Sequence, residues 1–100
     1  MQPNMKMIQQ MQNRLAKMQQ ELEETLVEGS AGGGAVQVQV NGLRAVKSVK
    51  IDPAAVDTED IEILEDMILA AINDAMKQAE DLANERMGAI TGGLQIPGLM

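Results

Sequence analysis

The stretch EGSAGGGAVQVQVNG, Glu28 to Gly42, decides the fold of this chain, because a cluster of glycines leads directly into alternating valines and polar residues. A period of two predicts a β-strand with one buried face, formed by Val36, Val38 and Val40. The opposite, polar face carries Gln37, Gln39 and Asn41. The dipeptide Asn41-Gly42 is a strong hairpin signal, so a second strand is expected to follow it.

The returning strand is expected from about Leu43 to Ile51. Its apolar residues change phase along the strand, because Val46 is even-numbered whereas Val49 is odd-numbered. Both valines can face the core only if one extra residue is inserted between them. This predicts a β-bulge near Lys47-Ser48.

The glycines that precede the strands do not match a phosphate-binding loop. Gly29 and Gly34 have the separation of a Walker motif, but Ala35 and a strand follow where a lysine and a helix are required. A dinucleotide fingerprint fails because Gln37 stands in place of its third glycine. We therefore expect a wide, bendable connection between the first helix and the hairpin. The segment LVEGSA, residues 26–31, is expected to add a short third strand, which a two-stranded hairpin needs for stability.

The N-terminal part of the chain, from about Asn4 to Glu28, has the pattern of an amphipathic helix, and Gly29 is expected to end it. Its apolar residues recur at spacings of three and four, at Ile8, Met11, Leu15, Met18 and Leu22. This heptad seam is suited to packing either on a partner helix or on the sheet of the same chain, and the sequence does not choose between them.

A second long helix is expected after Pro53, with Asp57 or Thr58 as its N-cap and its end near Met87, before Gly88. Its main apolar stripe consists of Ile61, Leu64, Ile68, Ile72, Ala75, Ala79, Leu82 and Ala83. Around MILAAI the apolar surface nearly encircles the helix, which indicates cover by the sheet on one side and by a second subunit on the other. The predicted homodimer interface contains Met67, Ile68, Ala71 and Ile72.

These elements predict an α+β fold of class α-β-β-β-α, with a small antiparallel three-stranded sheet between two long helices. Residues 1–87 are expected to form one dimerising domain, and residues 88–100 a flexible tail that contains Gly and Pro. The longest apolar run is too short to span a bilayer, so we expect a cytoplasmic protein without a membrane partner.

The composition argues against catalysis. The chain of 100 residues contains no His, Cys, Phe, Tyr or Trp, so the commonest general base and metal ligand, His, and the thiolate nucleophile, Cys, are missing. The many carboxylates are interpreted as solvated helix surface rather than as acid-base pairs or a metal site. We therefore expect no enzyme activity, no catalytic residue, no metal and no cofactor.

The net charge of -7 conceals a strong asymmetry along the chain. Residues 1–20 contain Lys6, Arg14 and Lys17 but no acid, whereas acids dominate from Asp52 onward. At about 100° per residue the three cations fall within about 80° of one another, on the side away from the apolar seam. This basic stripe is the first candidate DNA-binding site, although three cations on a polar helix are also compatible with a role in solubility alone.

A second group of cations, Arg44, Lys47 and Lys50, recurs at intervals of three along the returning strand. Lys47 and Lys50 are further candidates for DNA contact if they face outward together. The alternative is that cationic side chains protect a sheet edge from aggregation.

The runs VEGSAGGGAVQVQVNG, VKSVKIDP, LEDMILAAINDA and MGAITGGLQIPGLM together resemble the YbaB/EbfC family of bacterial nucleoid-associated proteins over nearly the whole chain. The resemblance implies an α-β-β-β-α protomer and a homodimer shaped like tweezers, whose projecting helices engage duplex DNA. It further implies a role in nucleoid organisation or gene regulation, and a gene that lies beside recombination or polymerase-clamp-loader genes. It supplies no catalytic residues and no fixed set of DNA contacts.

Two functions from different classes follow from these observations. The first is a homodimer in the bacterial nucleoid that binds double-stranded DNA through phosphate contacts. The second is an acidic interaction module whose methionine-rich helices bind a replication or recombination factor, because such surfaces repack around varied partners.

Overall fold

The computed structural model describes residues 4–91 and has the predicted α+β architecture. Helix α1 spans Met5–Glu24, strands β1, β2 and β3 span Leu26–Ala31, Val36–Asn41 and Val46–Ile51, and helix α2 spans Ile61–Thr91. Short 3-10 turns occupy Gly32–Gly34 and Pro53–Ala55. The three strands form one antiparallel sheet in the order β1-β2-β3, so the strand with the cleanest alternation is central.

The alternation in β2 places its valines against α2. Val36, Val38 and Val40 are fully buried, together with Ala71, Ala75 and Ala79 of the helix. Because alanines recur every four residues on α2, they form a narrow ridge that allows the helix to lie close to the sheet. This contact is the core of the protomer.

The predicted third strand is present, and it explains Gly29. We expected Gly29 to end the first helix, but α1 ends at Glu24 and Gly29 lies inside β1, opposite Val38. A Cβ at this position would lie 2.2 Å from the backbone nitrogen of Ala75 and 2.5 Å from the carbonyl oxygen of Ala71. Gly29 is therefore required by the close approach of α2 rather than by a helix terminus.

The remaining glycines connect β1 to β2, not the helix to the hairpin as predicted. Gly32, Gly33 and Gly34 all have positive φ values, of 65°, 68° and 96°, which is the region that glycine enters without steric cost. The loop is therefore a tight hairpin connection followed by a strand.

The predicted bulge lies in β3. Gln39 pairs with Ser48 but Val40 pairs with Val46, so Lys47 is the inserted residue. The insertion brings Val46 onto the same sheet face as Val49, opposite Val40 and Val38 respectively. The strand itself begins at Val46 rather than Leu43, because residues 42–45 form the turn and Arg44 adopts a φ of 66°.

The boundaries of α2 also differ from the prediction. The helix begins at Ile61, because Asp57 instead accepts a hydrogen bond from the backbone N–H of Glu59 (2.9 Å) in a turn before it. At the other end the helix continues through Gly88 to Thr91. Of the tail predicted from residue 88, residues 92–100 lie outside the described residues.

Candidate nucleic-acid interface

Helix α1 projects from the sheet and carries the predicted basic stripe. Its N-cap is Asn4, whose side chain accepts a hydrogen bond from the backbone N–H of Met7 (2.8 Å). Side chains from residue 5 to residue 17 are all exposed, and the molecule measures 68 Å along its longest axis but 16 Å along its shortest. The helix is therefore an arm attached to the sheet at its C-terminal end.

Lys6, Arg14 and Lys17 are exposed on this arm, and within residues 4–91 none of them forms an ion pair or a hydrogen bond. The helical geometry brings them onto one face, as the spacing predicted. Their positive charges are consequently available to an anionic partner.

The apolar seam of α1 has little cover within the protomer. Leu22 is buried and Met18 is half-buried, but Ile8, Met11 and Leu15 are 41%, 58% and 40% exposed. A shallow groove runs along this part of the arm, lined by Met7, Ile8, Gln10, Met11 and Arg14. The sequence left open whether this seam packs on a partner helix or on the sheet of the same chain. Within residues 4–91, only the C-terminal turn of α1 packs on its own sheet.

Lys47 and Lys50 lie on β3, away from the outer part of the arm. Both are exposed, and Lys50 pairs with Gln37 on the sheet face that α2 does not cover. Lys47 is the bulged residue and lies beside Ser48, which is on the same open face as Gln39. The structure thus gives two basic regions on different elements rather than one cluster.

The turn between β2 and β3 connects these two regions. The backbone N–H of Gly42 donates to the carbonyl oxygen of Leu22 at 2.7 Å, which joins the turn to the last turn of α1. Lys17 and Lys47 are each five residues from this contact along the chain, whereas Lys6 lies about 24 Å along the helix from Leu22 at about 1.5 Å per residue.

Sequence reasoning missed the role of Asn41. The alternation predicted an exposed side chain on the polar face of β2, but Asn41 is only 2% exposed because the end of α1 covers it. A polar side chain that is buried needs hydrogen-bond partners, and Asn41 has three, in the backbone of Glu23, Leu43 and Ala45. Only its position in an Asn-Gly dipeptide marked it in the sequence.

The predicted dimer residues on α2 fall into two groups. Ala71 is fully buried against the sheet of its own protomer, where Gly29 meets it, so it has no exposed surface left for a partner. Met67, Ile68 and Ile72 are half-buried beside the core. Close to them, Val46 and Val49 face the helix side of the sheet but are 46% and 47% exposed, because α2 packs mainly on β1 and β2.

The described residues offer no site for metal chemistry and no membrane span. Among residues 4–91, no three acidic side chains are grouped so that they could hold a metal ion. Neither helix in this part of the chain is long and apolar enough to cross a bilayer.

Comparison with known proteins identifies a family and several relatives of the chain. A family model described as the YbaB/EbfC DNA-binding family matches residues 1–94. A nucleoid-associated protein from Chloroflexus aurantiacus is 54% identical over 91 residues, which cover 91% of each chain. Another, from Pelotomaculum thermopropionicum, is 50% identical over 95 residues, covering 95% of this chain and 90% of the relative.

The fold recurs in a solved structure. The crystal structure of an uncharacterised protein from Helicobacter pylori superimposes with a TM-score of 0.78, covering 91% of this chain and 100% of that chain. The two sequences are 22% identical, so this similarity establishes the α-β-β-β-α fold alone.

Proposed function

The chain belongs to the YbaB/EbfC DNA-binding family, and from this premise we propose that it is a nucleoid-associated homodimer that binds double-stranded DNA mainly through phosphate contacts. It acts in nucleoid organisation or gene regulation, in the bacterial cytoplasm. The observation that carries the proposal is the exposed basic stripe of α1, in which Lys6, Arg14 and Lys17 have no partner within residues 4–91. The family is a DNA-binding family rather than a family of enzymes.

The distribution of charge supports phosphate contact by the arm. The net charge of -7 repels DNA at long range, but the first twenty residues contain no acid. The acids gather on the last turn of α1 and on α2, so an approach through the arm keeps the acidic surface away from the phosphates. A second contact is proposed at Lys47 and Lys50, which are both exposed on β3, with Lys50 on the sheet face that α2 does not cover.

Duplex DNA is favoured over single strands because the chain contains no aromatic residue. Proteins that bind single strands stack bases on aromatic side chains, and this chain has no such platform. Phosphate contacts carry no base information, so binding should depend little on DNA sequence.

A homodimer is supported by the apolar surface beside α2. Val46 and Val49 of β3 lie on the helix side of the sheet and are nearly half exposed there, because α2 packs mainly on β1 and β2. Ile61, Ile63 and Leu69 of α2 are also exposed, at 44%, 55% and 59%. An apolar surface of this kind on a small domain is typical of a subunit interface, and we propose that Met67, Ile68 and Ile72 lie at its edge.

The salt dependence of DNA binding tests the proposal. The stripes of two protomers supply six cations, and neutralisation of about four to six phosphates gives a log-log salt slope of about -4 to -5. Fluorescence anisotropy of a labelled random-sequence duplex, titrated between about 20 and 200 mM salt, measures this slope directly.

Charge reversal then tests the stripe itself. The double variant Arg14→Glu with Lys17→Glu should weaken binding to every duplex and flatten the slope, because two phosphate contacts per protomer are lost. The matched control is Lys77→Glu, which reverses an exposed cation on α2. Unchanged binding by the double variant, with the dimer intact, would exclude the stripe as the contact surface.

A second candidate function is supported by the exposed seam of α1. Ile8, Met11 and Leu15 form an uncovered methionine-containing surface that suits a protein partner, such as a replication or recombination factor. Deletion of residues 1–20 removes the seam together with the basic stripe, so it tests only a partner held by α2, which the shortened chain would retain. A partner held by the seam is tested by Arg14→Glu with Lys17→Glu, which should weaken DNA binding but leave binding of that partner unchanged.

A further inference from the structure

The end of α1 is held by a small set of hydrogen bonds from the β2-β3 turn. The N–H of Gly42 donates to the carbonyl oxygens of Leu22 (2.7 Å) and Thr25 (3.1 Å), and Nδ2 of Asn41 donates to the carbonyl oxygen of Glu23 (3.2 Å). The last four carbonyls of a helix have no partner inside the helix, so these bonds complete the end of α1. We call Asn41 and Gly42 together the latch.

The side chain of Asn41 has two separate hydrogen-bonding roles within the latch. Its Oδ1 accepts hydrogen bonds from the backbone N–H groups of Leu43 (2.9 Å) and Ala45 (3.0 Å), which shape the turn. Its Nδ2 reaches across to α1. One buried amide therefore connects the geometry of the turn to the position of the helix.

Gly42 fits tightly against α1. A Cβ at this position would lie 2.7 Å from Cδ2 and 2.8 Å from the carbonyl oxygen of Leu22. Both distances are shorter than van der Waals contact, so any larger residue would push the end of the helix away from the sheet.

Besides the latch, α1 is joined to β1 through the single residue Thr25, whose N–H (2.9 Å) and Oγ1 (2.6 Å) donate to the carbonyl oxygen of Glu21. Leu22 is buried, and Glu21 forms an ion pair with Arg86 of α2 at 3.6 Å between side chains that are 47% and 43% exposed. An exposed ion pair of this type contributes little. Because Lys6 lies about 24 Å from the latch, a change of about 20° in the direction of α1 moves it by about 8 Å, far beyond hydrogen-bond reach.

We propose that Asn41 and Gly42 are positioning residues that set the direction of the DNA-binding arm without touching DNA. The inference rests on the proposed function of α1 as that arm. Without the latch, the arm points in the direction needed for DNA binding for only a fraction of the time. The apparent Kd for DNA then rises by the inverse of that fraction. The bound state still makes the same phosphate contacts, so the salt slope stays unchanged.

The variant Asn41→Asp separates the acceptor role of the side chain in the turn from its donor role toward α1. A carboxylate still accepts from the N–H groups of Leu43 and Ala45, but it replaces the donor to the Glu23 carbonyl with an acceptor. The matched control is Asn73→Asp, which makes the same chemical change at an exposed position on α2. Gly42→Ala is a second variant that displaces Leu22 and leaves the side chain of Asn41 in place.

The direction of the arm is measured first, without DNA. The chain has no cysteine, so Gln12→Cys on α1 and Asp81→Cys on α2 accept spin labels at defined sites. Labelled chains are diluted with unlabelled chains, so that the distance within one protomer is observed by pulsed electron spin resonance. We expect a narrow distance distribution in the parent and in Asn73→Asp, and a broad one in Asn41→Asp and Gly42→Ala.

DNA binding by the unlabelled proteins completes the test. For Asn41→Asp we expect the Kd for duplex DNA to rise about tenfold relative to Asn73→Asp, as it does when a tenth of the dimers have both arms in the competent direction, with an unchanged salt slope. A narrow distribution in both latch variants, or a broad one with unchanged affinity, would overturn the proposal. So would loss of folding in both variants, because the latch would then support the whole domain.

The two experiments test the proposed function and the latch proposal separately. If the parent does not bind DNA but the latch variants broaden the distance distribution, then the proposed function is wrong and the latch still sets the direction of α1. If the parent binds DNA and the distribution stays narrow, only the latch proposal is wrong.

Discussion

Replacement of Gly29 by alanine should be among the most damaging single-methyl changes in this protein. The added Cβ would lie 2.2 Å from the nitrogen and 2.7 Å from the Cα of Ala75, and 2.5 Å from the carbonyl oxygen of Ala71. All three are backbone atoms of α2, so no side-chain rotation relieves the clash. The helix must move away by about 1 Å to reach ordinary contact, and a gap of that size forfeits a quarter to a half of each dispersion contact across it.

This separation affects the whole core. Six fully buried residues meet across the interface between the helix and the sheet, from Val36, Val38 and Val40 to Ala71, Ala75 and Ala79. Overpacking of a core costs about 1–3 kcal/mol, and a clash with rigid backbone belongs at the upper end. We expect a loss of about 3 kcal/mol in the free energy of unfolding, which lowers Tm by about 12 to 24 °C in a domain of this size.

The assay is urea and thermal unfolding followed by far-ultraviolet circular dichroism, since the chain has no aromatic residue for fluorescence. The control is Gly88→Ala on α2, where an added Cβ would lie within 4 Å of no atom outside the neighbouring backbone of its own helix. This control should raise stability by about 0.5 kcal/mol through helix propensity. An unchanged midpoint for Gly29→Ala would refute the close packing of α2 on β1.

Two further predictions concern the connection between β1 and β2 and the subunit interface. Gly33 has a φ of 68°, and an added Cβ would meet no atom within 4 Å. Gly33→Ala should therefore lower the free energy of unfolding by about 1 kcal/mol through backbone strain alone, and Gly33→Asn should lower it less, as measured by urea unfolding. Equal urea midpoints for the parent and both variants would contradict the left-handed conformation. Val49→Asp places a charge in the proposed subunit interface and should raise the Kd of the dimer more than about 100-fold, as measured by sedimentation. The control is Ser48→Asp, which lies on the opposite sheet face and should leave the dimer intact. A Val49→Asp protein that stays dimeric at micromolar concentration would remove β3 from the interface.

The elements with a regular period were predictable. The alternation of valine and glutamine gives β2 its buried face, and the change of phase after Val46 predicts the bulge at Lys47, because side chains on a strand alternate strictly between its faces. The spacing of Lys6, Arg14 and Lys17 predicts a basic stripe on any helix, because a helix has about 3.6 residues per turn. These features depend on neighbours along the chain, so a single sequence is sufficient to predict them.

The positions that depend on contacts between distant segments were not predictable. Gly29 has the same appearance in the sequence as a helix terminator, and only the approach of Ala71 and Ala75 reveals it as a packing position. Asn41 continues a polar alternation, and only the end of α1 buries it. Strand phase and the basic stripe follow from local stereochemistry, whereas the close contact of α2 and the direction of the arm depend on which surfaces meet after the chain has folded.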